Sequence, residues 1–416
     1  STPIPIDLDG DRIVDVIYAG DLQGNMWKFD VSASNTNQWK LAFSGSPLYA
    51  AQDDAATPNN QPITAKPQVG QHPDGGVMIY FVILTNGFFW LSLGDAPNHE
   101  SFKQYAVLLA CMTVVFAMGL TDDMVGISAS KKLMVHLFVG AFLVTVGGFR
   151  IEGFGGLFGI EEMPETISTI FSLFVYIVIV NAWNLIDGID GLAGGYSAIA
   201  MAAFSAWFLL TGQIPAAILS LTILGATLGF LVFNFAPARI FLGDCGSLVL
   251  GVVGYALATN VIQTPGEAIP EVFSQLSRPT LAMAILAYPL VDTLRVFFLR
   301  AIRGISPFHP DQNHMHHRLM MKYKSHRKTA IFVYFYSFVF IGLAFSRPFL
   351  FPNLGEEGMF FGLLLLSFLW FLPTLRNTRD THQRNVKRQN TLLQKSKKKS
   401  QPDKPGSAGT TALSGS

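Results

Sequence analysis

Adjacent Asp122 and Asp123, a series Asn184, Asp187 and Asp190 spaced by three, and Asp244 between two glycine-flanked steps each stand where a long apolar run ends. Carboxylates gathered at such mouths repel one another, and a divalent cation is the simplest group that holds them ionised together. An oxygen-only set of Asp122, Asp123, Asp187 and Asp244 suits Mg²⁺, with Mn²⁺ as the alternative ion, because Mg²⁺ keeps waters and takes phosphate oxygens as well. Asp292 and Arg295 lie inside a further apolar run, with His309, His314, His316 and His317 behind it. Imidazole and guanidinium groups in that place suit an anionic substrate. Gly243 and Gly246 would let backbone N–H groups approach a phosphate closely. Taken singly, each cluster has a plainer reading: a helix cap for Asn181 to Asp190, an intramembrane ion pair for Asp292 and Arg295, a solvated loop for the histidines. Zn²⁺ is disfavoured, since no cysteine joins the histidines.

The elements that must position these residues belong to a membrane. Of 416 residues half are hydrophobic and 14% are charged, with a mean hydropathy of +0.37, a balance that makes a polytopic membrane protein the default class. Apolar runs near 77–93, 103–121, 133–149, 166–183, 194–212, 216–235, 247–262, 280–299, 330–346 and 359–375 predict about ten transmembrane helices. The two Asp-Gly steps at 187–188 and 190–191 argue for a turn or helix break there, with both carboxylates converging on one small volume. Lys131, Lys132, Arg239, Arg300, Arg303, Arg318 and Lys322 fall in alternate loops, which the positive-inside rule assigns to the cytoplasm. Every polar cluster named above lies on that same basic face, so the active site is expected there. The net charge of +1 says nothing by itself about partners, and no nucleic-acid partner is expected. Cys111 and Cys245 suggest no disulfide framework.

Residues 1–76 differ in kind: they are polar and contain no membrane-length run. Asp7, Asp9, Asp11 and Asp15 stand at loop positions one, three, five and nine, a spacing with which short loops wrap Ca²⁺, although no Gly at six or Glu at twelve completes an EF-hand. Residues 14–30 read as strand, turn, strand. The stretch Tyr18-Ala19-Gly20-Asp21-Leu22-Gln23-Gly24-Asn25 resembles a β-propeller blade of type IV pilus tip-associated biogenesis proteins. One or two blades cannot close a propeller.

Four motifs carry a second resemblance: Asp122-Asp123-Met124-Val125-Gly126 with Lys132 after it; Asn181 to Leu192; Phe233-Asn234 through Arg239 to Ser247; and Pro310 to His317. In this order they are similar to the polyprenyl-phosphate N-acetylhexosamine-1-phosphate transferases, relatives of the phospho-MurNAc-pentapeptide translocase. The resemblance implies an all-α polytopic enzyme over residues 77–375, after a β-rich fragment over 1–76 and before a basic cytoplasmic tail over 376–416. It implies multi-pass insertion in the bacterial inner membrane, undecaprenyl phosphate and a UDP-N-acetylhexosamine as substrates, and a homodimer as an admissible assembly. Polyprenyl diphosphate sugar and UMP would be the products, at the first membrane step of an envelope polysaccharide such as O-antigen or teichoic acid. The roles it implies are Asp122, Asp123, Asp187 and Asp244 in catalysis and Mg²⁺ at Asp244, Asp122 and Asp123. Lys132, Asn181, Asn184, Asp190, Asn234, Arg295, His314, His316 and His317 would bind substrate.

The chain departs from that family before its first predicted helix, where only His72-Pro73-Asp74-Gly75-Gly76 stands for a Pro-x-x-Gly-Gly segment and a preceding span. A propeller belongs outside the cytoplasm, whereas the basic loops place residues 1–76 inside it. The expected alternatives to an active enzyme are therefore a chimeric remnant joined near Gly75-Gly76, or a calcium-binding fusion derived from a pilus adhesin.

Overall fold

The computed structural model describes residues 99–302 and 314–375, and before them only 4–6, 14, 16–20, 25–33, 38–42, 46, 49–50, 76, 77, 79–81 and 84. The proposed calcium ligands Asp7, Asp9, Asp11 and Asp15 and the tail 376–416 lie outside the described residues.

The N-terminal strands β1 (Ile4–Ile6), β2 (Val16–Gly20), β3 (Asn25–Asp30), β4 (Lys40–Leu41) and β5 (Tyr49–Ala50) form one antiparallel sheet in the order β1-β2-β3-β4, with β5 also paired to β3. The expected hairpin is present: Ile17 pairs with Phe29, Tyr18 with Lys28 and Gly20 with Met26.

Eleven α-helices follow among the described residues: α1 (His99–Val125), α2 (Ala129–Thr145), α3 (Glu165–Leu185), α4 (Leu192–Leu210), α5 (Ile214–Asn234), α6 (Gly243–Ile262), α7 (Arg278–Ile285), α8 (Ala287–Ile302), α9 (Met315–Tyr323), α10 (His326–Leu350) and α11 (Glu356–Leu375). Helix α6 is the axis of the bundle, buried almost throughout its length and packed by α1, α3, α4 and α7. Large apolar side chains face outward instead on α3 (Ile167, Ile170, Phe174), α5 (Leu228, Val232) and α10 (Ile331, Phe335, Phe338). Water would make such faces a liability; lipid makes them the favoured surface.

Six described helices are long and apolar enough to cross a membrane, namely α1 from Lys103, α3, α4, α5, α6 and α10, and the bent pair α7–α8 makes a seventh if it counts as one span. The expected number of about ten is not reached among the described residues. Most of 77–93 lies outside them, and α2 has only 17 residues, a rise of about 25 Å against a hydrocarbon core of about 30 Å.

The span expected at 280–299 is broken, bending by 80° between Ile285 and Ala287. Pro289 has no N–H for the Ile285 carbonyl one turn back. The Tyr196 hydroxyl of α4 donates to that carbonyl instead, at 2.8 Å, so the break leaves no orphaned acceptor.

Candidate active site

At the end of the bundle where α6 begins, one carboxylate is shared by three helices. The Asp244 Oδ2 accepts from Lys132 Nζ of α2 at 2.8 Å, and its Oδ1 accepts from Asn184 Nδ2 of α3 at 2.8 Å. The same Asn184 amide donates to Ser247 Oγ at 3.1 Å, one turn further along α6. Lys132 also pairs with Asp122 near the end of α1, whose other oxygen accepts from the Ile127 backbone N–H at 2.6 Å. The ammonium is thus the cation that lets Asp122 and Asp244 stand side by side.

Asp123 does something different. Its two oxygens accept from the backbone N–H groups of Asp244 at 2.8 Å and Cys245 at 3.0 Å, so a residue of α1 caps the N-terminus of α6 from outside. Those N–H groups were the phosphate cradle that the Gly243–Gly246 pattern suggested; in the structure they are already taken. Asp123→Ala is expected to lower the unfolding midpoint in detergent by the equivalent of about 1 kcal/mol, the usual worth of a lost N-cap.

Between α3 and α4 the chain breaks, as the Asp-Gly steps predict, with Gly191 at a φ of +76°. Asp187 sits in this turn. Desolvation, then the negative charges of Asp244 and Asp123, push its carboxyl well above the usual range, opposed by a bond from the Gly243 backbone N–H. The expected convergence of both turn carboxylates does not follow, because Asp190 takes other partners. His326 Nδ1 lies 3.2 Å from its Oδ1 and from its backbone N, and its Oδ2 accepts from the Ala238 N–H at 3.2 Å. Asn234 accepts from the Gly191 N–H at 2.9 Å and donates to the Ile240 carbonyl at 2.9 Å. Asp190 and Asn234 therefore join the α3–α4 turn, the α5–α6 loop and the start of α10. Asn181 is exposed and donates to the Ile177 carbonyl of its own helix.

A second cluster is buried. Asp292 of α8 receives Arg295 at 3.5 Å, His314 and His316 at 3.5 Å each, and the Met315 backbone N–H at 2.7 Å. The two imidazoles are parallel, 5.5 Å apart. Asp292 and Arg295 thus form the ion pair of the plainer reading, while His314 and His316, rather than lying in a solvated loop, are packed onto it; His309 lies outside the described residues. His317 follows on α9, its side chain outside the described ones.

Ser247 closes the third sequence motif, one turn along α6 from Asp244; three further participants, His326, Arg327 and Tyr334, carried no sequence signal of their role. Arg327 donates to the Ala236 carbonyl and Tyr334 to that of Gly191, so one end of α10 is tied to two loops of the site.

Comparison with known proteins gives this geometry a family. The glycosyl transferase family 4 model matches residues 105–262, the stretch from α1 to the end of α6 that carries the Asp122, Asn184 and Asp244 cluster. A decaprenyl-phosphate N-acetylglucosaminephosphotransferase of Mycolicibacterium smegmatis is 32% identical over 286 residues, 65% of this chain and 70% of that protein. The chain belongs to glycosyl transferase family 4. Its Mycobacterium leprae relative of the same name is 33% identical over 323 residues, covering 74% of this chain and 81% of the relative. An undecaprenyl-phosphate alpha-N-acetylglucosaminyl 1-phosphate transferase of Haemophilus influenzae is 29% identical over 355 residues, covering 77% and 97%. This family member is a transferase with a multi-pass helical fold. Its first part is similar to something else, as the PilY1 beta-propeller domain model matches residues 1–107.

Proposed function

We propose that the chain transfers N-acetylglucosamine 1-phosphate from its UDP-sugar to a polyprenyl phosphate, undecaprenyl phosphate in the simplest case, and releases UMP. An oxygen of the lipid phosphate attacks the β-phosphorus, a new P–O bond forms there, the bond to the α,β-bridging oxygen breaks, and UMP departs with that oxygen. Phosphoryl transfer of this kind needs positioning and charge neutralisation more than covalent help. The observation that carries the reading is the meeting of Asp122, Lys132, Asn184, Asp187 and Asp244 at one end of the bundle.

In this reading Asp122 orients the lipid phosphate and holds its proton where one is present, and Lys132 offers its ammonium to the phosphates. Asp123 acts by fixing the first turn of α6, and Asn184 with Asp187 shapes the nucleotide side. Among the described residues no three His, Cys, Asp or Glu side chains gather at metal-ligand spacing. That donor set still fits Mg²⁺, which is commonly held by one or two carboxylates with phosphates and waters completing its shell. Asp244 and Asp187 would hold it, in place of the expected Asp122 and Asp123, which are engaged by Lys132 and by the first turn of α6, and it would supply charge neutralisation across the diphosphate. Arg295, His314, His316 and His317 are assigned to the anionic substrate from the α8–α9 side. In this reading the site faces the cytoplasm, where UDP-sugars are made, from a bacterial inner membrane, and the reaction opens an envelope polysaccharide.

The test is UMP release by membranes supplied with undecaprenyl phosphate and labelled UDP-N-acetylglucosamine. Release that requires the lipid, is abolished by chelator and returns with Mg²⁺ is the expected result. Release no greater than in lipid-free controls would overturn the reading.

A further inference from the structure

The bundle has one more member at its reacting end. Residues 76, 77, 79–81 and 84 are helical, and Gly76 lies against the first turn of α6 with no room for a side chain. A Cβ there would run into the Leu242 carbonyl oxygen and come within 2.5 Å of Cys245 Sγ and 2.6 Å of the Gly246 nitrogen. The contact is mutual, since a Cβ on Gly246 would lie 2.7 Å from the Gly76 Cα. On α1, Gly119 approaches as closely: its Cβ would meet the Cys245 Cα and nitrogen at 2.6 Å. The turn that carries Asp244 is therefore clasped by two glycines on two different helical segments, a small-residue approach that brings backbones together. Farther along, Tyr80 anchors the 76–84 segment. Its ring stacks on Phe116 at 3.8 Å and 7°, its hydroxyl donates to Thr113 Oγ1 at 2.9 Å, and Ile79 is fully buried.

We propose that this segment is a working part of the transferase bundle, and that Gly76 is a positioning residue which seats Asp244 by backbone contact with α6. The part about Asp244 rests on the transfer reading given above. The propeller-like match extends in sequence through residue 107, yet the described residues among 76–84 pack against α6 and α1. Whatever precedes Gly76, the wall it forms against α6 is in place.

Cys245 reports the contact without reference to activity, because its thiol is buried beneath Gly76. In a Cys111→Ser background it is the one remaining thiol. Gly76→Val is expected to speed maleimide labelling of Cys245 in membranes at least about tenfold by opening this seam. The same variant should lower kcat about 10²-fold, the cost of a displacement near 1 Å at the reacting end, with KM for the UDP-sugar little changed. Gly76→Ala, the smaller change for use if the valine variant does not accumulate, should shift both readouts in the same direction. Ile170→Ala, at an outward-facing position of α3, should shift neither. Unchanged labelling in both Gly76 variants would overturn the contact. Faster labelling with kcat intact would overturn the positioning role. A parent chain that released no UMP but showed the labelling difference would sink the transfer reading and leave the seating of α6 supported.

Discussion

Asp244→Asn loses UMP release by at least about 10²-fold, the usual size of removing one preorganised electrostatic contact from a transfer site, while its unfolding midpoint in detergent stays near that of the parent. The reasoning separates charge from shape. Asparagine keeps an oxygen for the Asn184 amide, and the backbone N–H groups at 244 and 245 keep their Asp123 cap. Lys132 retains Asp122 as its counter-ion. What disappears is the negative charge on which the Lys132 ammonium converges and on which the proposed Mg²⁺ would. Full Mg²⁺-dependent turnover in this variant would remove Asp244 from the metal assignment and with it the centre of the proposed site.

The second large effect is on stability. Asp292→Ala is expected to destabilise the folded bundle by about 3–5 kcal/mol, the range found when one partner of a buried ion pair is deleted. The carboxylate is 2% exposed and is approached by Arg295, His314, His316 and the Met315 N–H, all inside the protein. Its removal leaves buried cationic and imidazole groups without the acceptor on which they converge. Detergent unfolding followed by tryptophan fluorescence, or the rate of limited proteolysis between α8 and α9, measures the change. A midpoint equal to that of the parent would mean that the cluster does not hold α9 to α8.

Much of the reacting end is legible in the sequence because a polar residue in an apolar run is costly and so conspicuous. Asp122, Asn184, Asp187 and Asp244 stand out on that ground alone, and the structure brings them to one end of the bundle. Their division of labour is not legible. Asp122 and Asp123 are neighbours in the chain, yet the helix turns one toward Lys132 and the other toward the N-terminus of α6, 121 residues away. Asp190 looks like a third member of the Asn184 and Asp187 series, but the break at Gly191 sends it to His326, 136 residues on. Such pairings depend on how helices cross, which local periodicity does not encode. The bend in α7–α8 was readable in part, since Pro289 marks the site of a lost hydrogen bond; that Tyr196 would supply the replacement was not. Gly76 reads from sequence only as the end of a segment standing for Pro-x-x-Gly-Gly, and it is the packing against Gly246 that reveals a contact with no room for a Cβ.

The ties between α10 and the site loops reach beyond the loops themselves. His326 and Arg327 pin one end of α10 beside Asp190 and Ala236, and its 25 residues carry the chain about 37 Å away. Helix α11, 20 residues long, brings it back and packs against α9. Residue 375 therefore ends on the reacting side, and the segment that continues from it holds ten Lys and Arg against two Asp. A chain whose overall charge is +1 is thus strongly polarised, with its densest positive charge continuing from the end of the bundle where the two anionic substrates of the proposed reaction would meet. Ionic strength then becomes a variable of substrate capture, since salt screens this attraction over roughly 8–10 Å.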